Sequence, residues 1–438
     1  MLDINFIRKN IELVKEGARK KRVNIDLDYL IKIDQDRRSL QEKLDIKRAE
    51  QNQTTKKIAQ VKDDEREEMI RIVTKTKVEI KKLEEELLPI IEEWTKILMG
   101  IPNPPSPDMP EGKDDSDNVV VREWGQRPSF DFKPLDHVAL CTKLDLFDIE
   151  RAAKVSGSRF YYLKGDLVLL QFAVINFTFN QLIDTEVIQK IISNNNLNVS
   201  VKPFIPMLPP VIIRREVQYN IHRVFGDQTF SLEGIDKNLV ASAEHTMAPY
   251  YMEETLDETI LPIRYLGYST AFRQEAGTYG KDMGGIFRNK HFDKIEMESF
   301  TTAETGVEEQ KFMVAVQEYL VRQLNIPYRL VHVCTGDTGK PDYDQYDIEC
   351  WLPGQNKYRE THTSDYMTDY QTRGIKSFYK TKNGERKLLH TNDATAFAFG
   401  RILIAILENY QQKDGSIMIP EVLRPYMNNK IFIKNINN

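Results

Sequence analysis

The sequence predicts an α+β protein: an N-terminal antiparallel helical hairpin, then a larger domain built on an antiparallel β-sheet flanked by helices. Three observations carry this. The first hundred residues hold a heptad pattern, a proline-rich break follows, and beyond it short β-rich runs alternate with helical stretches without a repeated βαβ unit. At 438 residues the chain is also longer than one compact core usually needs, so two or three domains are expected.

The hairpin comes first. Val73, Ile80, Leu87 and Trp94 recur every seven residues, and Leu83, Ile90 and Ile97 form a second series offset by three, the a/d seam of a coiled coil. A second stretch, from Ile33 to Val61, carries Ile33, Leu40, Leu44, Ile58 and Val61, with Lys47, Gln51 and Thr54 making its distal half polar. Between the two lies KDDEREE (Lys62 to Glu68), too charged for burial. Such a hairpin serves either as a dimerisation stalk or as an arm that touches a partner. Residues 1–100 hold 23 Lys+Arg against 21 Asp+Glu, whereas the remainder holds 38 against 45. The arm therefore has the sign that phosphate contact requires. The run Arg19-Lys20-Lys21-Arg22 fits a solvated helix end as well as a contact patch.

IPNPPSPDMPEGKDDSDN breaks both periodicities, which gives boundaries of 1–100 for the arm, 101–125 for a linker and 126–438 for the main domain. Strands are expected in Phe160–Gln171, Arg264–Arg273, Tyr328–Cys334 and Tyr346–Pro353. Helices are expected around Phe172–Asn195, Thr305–Leu324 and Ala396–Gln411. A net charge of −5 excludes gripping nucleic acid by overall basicity, so any polyanion must be recognised locally. No window approaches the roughly 20 apolar residues of a membrane span, and the N-terminus lacks a signal-peptide h-region, so no membrane partner is expected. Three cysteines without a C-x-x-C pair fit a reduced, cytoplasmic location and argue against a four-cysteine zinc site.

Two stretches carry chemistry. In TAFRQEAGTYGKDMGGIFRNKHFDKIEMESF (Thr270 to Phe300), Arg273 and Glu275 sit at a strand end, a glycine-rich loop follows, and then come Arg288, Phe292 and Glu296. Two arginines flanking such a loop can clamp a phosphate chain, and Phe292 offers a stacking face for a base. Surface ion pairs give the same letters. In HTNDATAFAFGRILIAILENYQ (His390 to Gln411), read as helical, Arg401 is the only charge between Asp393 and Glu408. A lone charge in an apolar segment must meet an anion, either a structural partner or a nucleotide. No G-x-x-x-x-G-K-[ST] or G-x-G-x-x-G loop is present, so side chains would hold any nucleotide.

The arginine-glutamate strand, loop, second arginine and aromatic resemble motif 2 of class II aminoacyl-tRNA synthetases, and Gly400-Arg401 resembles motif 3. FRQEAGTYGKD with GGIFRNKHFDKIE, CTGD (Cys334 to Asp337), YDIECWLPGQ (Tyr346 to Gln355) and ENYQ with DGSIMIPEVLRPYM resemble seryl-tRNA synthetases. IPNPPSPDMPEGKDDSDN resembles that family's interdomain connection, and the hairpin its tRNA-binding arm. This resemblance spans essentially the whole chain, in order. It implies a class II catalytic domain that makes seryl-adenylate from ATP and L-serine and passes the seryl group to tRNA(Ser), with tRNA(Sec) a second candidate. Arg273 would then bridge the serine carboxylate and the α-phosphate, with Gln274 alongside and Glu275 near the adenine edge. Arg288 and Arg401 would hold the γ-phosphate end and the adenine face, with Phe292 stacking opposite Arg401. Glu360 and Thr363 would hold Mg²⁺, with Thr361 and His362 in the same ATP-binding run. Ser242, Ala243, Glu244, Glu296 and Thr395 would form the serine pocket with Arg273. FIPMLPPVIIRRE (Phe204 to Glu216), with Pro209-Pro210, lies where motif 1 builds a homodimer interface.

Departures from the family pattern cluster at the site. Ser242, Thr363 and Thr395 keep a hydroxyl while exchanging serine and threonine. Asp393 stands for asparagine, His362-Thr363-Ser364-Asp365-Tyr366 for a serine-rich run, Lys290-His291 for His-Gln, and Gly374 for an arginine. The alternative is a synthetase-like paralogue that activates serine for a carrier protein or small molecule; it shares every site residue but has no use for the arm. A non-catalytic coiled-coil adaptor would leave Arg273, Arg288, Glu360 and Arg401 without a role.

Overall fold

The computed structural model describes residues 2–58, 61–222, 228–276 and 284–435. It divides into two compact units, Met1–Pro104 and Pro105–Asn438.

The first unit is helical: α1 Ile4–Lys9, α2 Ile11–Lys20, α3 Leu27–Ile58 and α4 Asp63–Gly100. The Asp3 carboxylate caps α1 by accepting from the Asn5 and Phe6 amides. Helices α3 and α4 pair antiparallel around Leu44, Ile80 and Leu87, with Leu40, Leu83 and Ile91 beside them. Ion pairs flank the seam, Lys47 with Glu79 and Arg48 with Glu84. Toward the base it is specific. The Arg37 guanidinium lies 4.7 Å from the Trp94 ring centre, and the fully buried Asp34 is shared by Arg8 and Arg37. Arg19 and Lys20 close α2, so the basic run is a helix end, although Lys21 is buried.

The second unit is built on an eight-stranded sheet: β1 Val119–Trp124, β2 Ile205–Met207, β3 Ile263–Phe272, β4 His291–Thr301, β5 Tyr328–His332, β6 Asp344–Leu352, β7 Lys357–Thr368 and β8 His390–Ala398. Their order is β1-β5-β6-β7-β8-β4-β3-β2. Every pair is antiparallel except β2 with β3. Helices α5 Asp166–Leu182, α6 Gly306–Gln323 and α7 Phe399–Asn409 share one core with the sheet, in which Phe177, Phe312 and Leu403 meet Ile295, Met297 and Ile348. Alternation along β4 puts Ile295 and Met297 into this core and turns Phe292, Lys294 and Glu296 to the opposite face.

Three segments differ from expectation. Within Phe160–Gln171 only Tyr162–Leu163 is a strand, and the apolar residues 167–171 begin α5. Leu167, Leu170, Ala173, Val174 and Phe177 are buried at helical spacing, and Asp166 complements the helix dipole in the first turn. His390–Ala398 is strand β8; it is buried on both faces with polar Thr391, Asn392, Asp393 and Thr395 among small apolar residues, so it lacks the alternation that marks a half-exposed strand. Residues 119–124, placed in the linker, form the edge strand β1. The rest of the connection is tightly held: the Cys334 amide donates to Asn118 Oδ1, and a Cβ on Gly112 would come within 2.6 Å of Cys334 Sγ. Gly374 has a similar cause. A side chain there would overlap the Asn220 carbonyl oxygen, at 1.9 Å from Cβ, so this backbone excludes the arginine of the family pattern. Among the described residues no single helix is long and apolar enough to cross a membrane.

Candidate active site

Strands β4, β7 and β8, the end of β3 and the start of α7 surround a cavity of 140 Å³. Among the described residues Arg273, Arg288, Arg401 and Lys294 line it against Glu275 and Glu360, so it favours an anion. Phe292, Thr361, Thr363 and Thr395 complete much of its wall, with Ile286, Phe287, Asn289, Ala398 and Gly400.

Each charged group is placed by a strand or helix end. Arg273 follows β3, where its amide donates to the Lys290 carbonyl oxygen at 2.8 Å. Its Nε donates to the Ala241 carbonyl oxygen at 3.2 Å, and its guanidinium lies 5.3 Å from the centre of the Phe292 ring. Burial and the nearby Arg401 lower the Arg273 pKa, against the pull of Glu275, Glu360 and Glu296. An added anion would therefore relieve strain already present in the electrostatics. Glu275 receives Arg159 at 3.5 Å and Arg288 at 3.4 Å. The glycine-rich stretch 277–283 lies outside the described residues. In the residues before it, the Gln274 and Gln228 side-chain amides donate to the backbone carbonyls of Thr229 and Ala276 respectively.

Arg401 enters from the first turn of α7. Gly400 lets the helix approach the Ile286 carbonyl oxygen, which a Cβ would meet at 2.3 Å. Arg401 Nη1 donates to Glu360 Oε1 at 2.6 Å and to the Glu360 carbonyl oxygen at 3.1 Å. Burial alone would push the Glu360 pKa up, but Arg401 and Arg273 bring it below the usual value. Behind it, burial and the charge of Glu360 push Asp347 well above the usual carboxylate range. Glu360, with the Thr363 hydroxyl on the same strand and cavity wall, offers hard oxygen donors of the kind Mg²⁺ prefers.

A second cluster lies beneath. Glu296 is fully buried and accepts from Ser242 Oγ at 3.2 Å and Thr395 Oγ1 at 3.3 Å, and it pairs with Lys294. Thr363 Oγ1 is 3.4 Å from Thr395 Oγ1. Helix α6 sets this spacing: Gln317 Nε2 donates to the carbonyls of both Thr363 (2.7 Å) and Thr395 (2.9 Å). The Glu244 carboxylate accepts from Gln371 Nε2 at 2.7 Å, and Gln371 in turn accepts from Thr391.

Of the residues singled out in the sequence, Arg273, Glu275, Arg288, Phe292, Glu360, Thr361, Thr363, Thr395 and Arg401 meet at the cavity. Ser242, Ala243, Glu244 and Glu296 are buried. Ser242 and Glu296 join the cavity through Thr395 and Lys294. Gln274 is turned to the Thr229 carbonyl oxygen and is not part of the cavity lining. The His362 ring is buried against Phe397, 5.3 Å between centres, rather than lining the cavity. Lys294, Arg159 and Phe287 escaped the sequence reading. The alternation F-x-K-x-E over 292–296 is a signal for Lys294; nothing local marks Arg159, which reaches Glu275 only through the fold.

Comparison with known proteins yields two family matches: "Seryl-tRNA synthetase N-terminal domain" over residues 1–105 and "tRNA synthetase class II core domain (G, H, P, S and T)" over 230–410. A serine--tRNA ligase of Dictyoglomus turgidum is 38% identical over 98% of both chains, and one of Rubrobacter xylanophilus 37% identical over 98% of this chain and 99% of its own. The fold is similar to that of a seryl-tRNA synthetase from Pyrococcus horikoshii solved with ATP. There the TM-score is 0.82 at 34% identity, and all of both chains is covered.

Proposed function

The chain belongs to the seryl-tRNA synthetase family, and on that premise we propose how its cavity works. The protein activates L-serine with ATP and charges tRNA(Ser). The observation that carries this is the match of both units, in order, to the two parts of one family over nearly the full length. A carrier-protein ligase would have no use for residues 1–105.

In the first step a serine carboxylate oxygen attacks the α-phosphorus, the bond to the bridging oxygen breaks, and pyrophosphate leaves. Arg273, between Phe292 and the Glu296 cluster, neutralises the carboxylate and α-phosphate as they meet. Arg288 and Arg401 take the charge of the departing phosphates, and the adenine lies between Phe292 and Arg401 with Glu275 at its edge. In the second step a hydroxyl of the terminal tRNA ribose attacks the acyl carbon and AMP leaves. Positioning and charge neutralisation suffice, so no protein nucleophile is required. Glu360 and Thr363 are the residues that would hold Mg²⁺, which when bound neutralises phosphate charge; the hard-oxygen donor set at the cavity wall supports this. The serine pocket comprises Ser242, Ala243, Glu244, Glu296 and Thr395.

The working form in this reading is a cytoplasmic homodimer. Exposed Ile205, Leu208 and Ile212 in the motif 1-like segment support the dimer, and three free, buried cysteines suit a reducing compartment. Charging of tRNA(Sec) is part of the same proposal. The test is serine-dependent exchange of labelled pyrophosphate into ATP, run beside charging of unfractionated tRNA. Exchange without charging would leave the activation step but remove the tRNA.

A further inference from the structure

One cation at the cavity has no part in the steps above. Lys294 lies on β4 between Phe292 and Glu296, on the face that carries both. Its side chain is 10% exposed and that of Glu296 is 0% exposed. The ammonium pairs with Glu296 Oε2, the oxygen that also accepts from Ser242, while Thr395 donates to Oε1. Two hydroxyls alone are weak support for a carboxylate cut off from water.

The other charges around it do not replace the lysine. Glu298 and Asp393 follow on the neighbouring positions of β4 and β8, Glu244 comes from the 242–247 segment and Glu360 from β7. Arg273, at the end of β3, adds a positive charge, and it is drawn on by Glu275 and Glu360 as well. Burial drives Glu296 toward its protonated form and Glu244 adds to that push, while Lys294 is the largest counterweight.

Resting on the serine-activation reading, we propose that Lys294 is a positioning residue for amino-acid selection: it fixes Glu296 as an ionised acceptor whose oxygens meet the hydroxyl or ammonium of L-serine. Protonated, Glu296 would present an O–H where an acceptor is needed, and the penalty on alanine, which leaves that acceptor unpaired, would fall. The effect has a definite sign. Without Lys294 the Glu296 pKa rises, so serine use weakens as pH falls and recovers as pH rises.

Serine-dependent ATP/pyrophosphate exchange by Lys294→Met and Lys294→Arg, measured from about pH 6 to about pH 9, tests this. Lys294→Met should raise KM for serine about tenfold or more near neutrality, with recovery at the alkaline end, while KM for ATP moves less than about twofold. Lys294→Arg should restore the wild-type profile. In a Glu296→Gln background, Lys294→Met should add no pH dependence, because glutamine does not titrate. Lys294→Gln carries the same expectation if the methionine variant fails to fold. A Lys294→Met profile parallel to wild type overturns the proposal, and so does a KM for ATP that rises with the KM for serine. Wild-type protein without serine-dependent exchange would overturn the activity itself; wild-type exchange beside an unaltered variant overturns only the role of Lys294.

Discussion

At the scale of single residues, Arg401 has two accounts, a structural ion pair or a nucleotide contact, and its surroundings separate them. Its partner Glu360 has a side chain 42% exposed, so the orphaned carboxylate of Arg401→Ala can rehydrate at a cost of about 1 kcal/mol or less. Melting should change little while ATP/pyrophosphate exchange falls about 10²-fold or more, the usual loss when a group meeting developing charge is removed. A collapse of stability in parallel with activity would restore the structural account. His362 makes a different claim. Burial holds its pKa at about 3, against about 6.5 when unfolded. Below that unfolded value the unfolded chain takes up a proton that the native chain refuses, so stability is full above about pH 6.5 and declines by about 1.4 kcal/mol per pH unit toward about pH 3. His362→Gln should therefore flatten the acid side of a stability–pH curve measured by urea denaturation. Identical slopes would mean that the ring is solvated. Of the site residues missed in the sequence, Lys294 had a local signal and Arg159 had none. Lys294 finds Glu296 by strand alternation, whereas Arg159 crosses to a segment 116 residues away.

At the scale of elements, legibility followed periodicity. The coiled-coil seam repeats many times, so Leu44, Ile80, Leu83 and Leu87 were readable in advance. The apolar start of α5 was not, because its exposed Leu169 and Phe172 are apolar too and blur the 3.6 period, and β8 was not, because a strand covered on both faces shows no 2.0 period. The hairpin is the element most open to surgery. Its base carries Asp34 with Arg8 and Arg37, and Arg37 with Trp94, so the cut belongs beyond those contacts. Replacing residues 40–91 by a short Gly-Ser turn should leave serine-dependent exchange within about threefold of wild type, while charging of tRNA drops by orders of magnitude through loss of phosphate contacts. If exchange vanishes from a variant that still melts cooperatively, the division of labour between the two units is wrong.

At the scale of the whole molecule, the small net charge of −5 hides a positive arm and a negative remainder. Charging should therefore weaken steeply with salt while exchange hardly responds. Each phosphate neutralised adds about 0.7 to 0.9 to the slope of log affinity against log salt, so a slope near −3 or steeper would reflect a few contacts and a flat response would remove the electrostatic role of the arm. The amide of Gln317 has a reach of another kind. It stands behind the sheet and touches the backbone, not the side chains, of the two strands whose hydroxyls face one another at Thr363 and Thr395. The spacing of the two threonines at the proposed serine pocket is thus set from the reverse side of its wall. Redesign toward a bulkier amino acid would begin with this strut: trimming the hydroxyls removes lining, whereas releasing the strut frees the backbone just beyond the point where the β7–β8 ladder ends at Ser364 and Ala394.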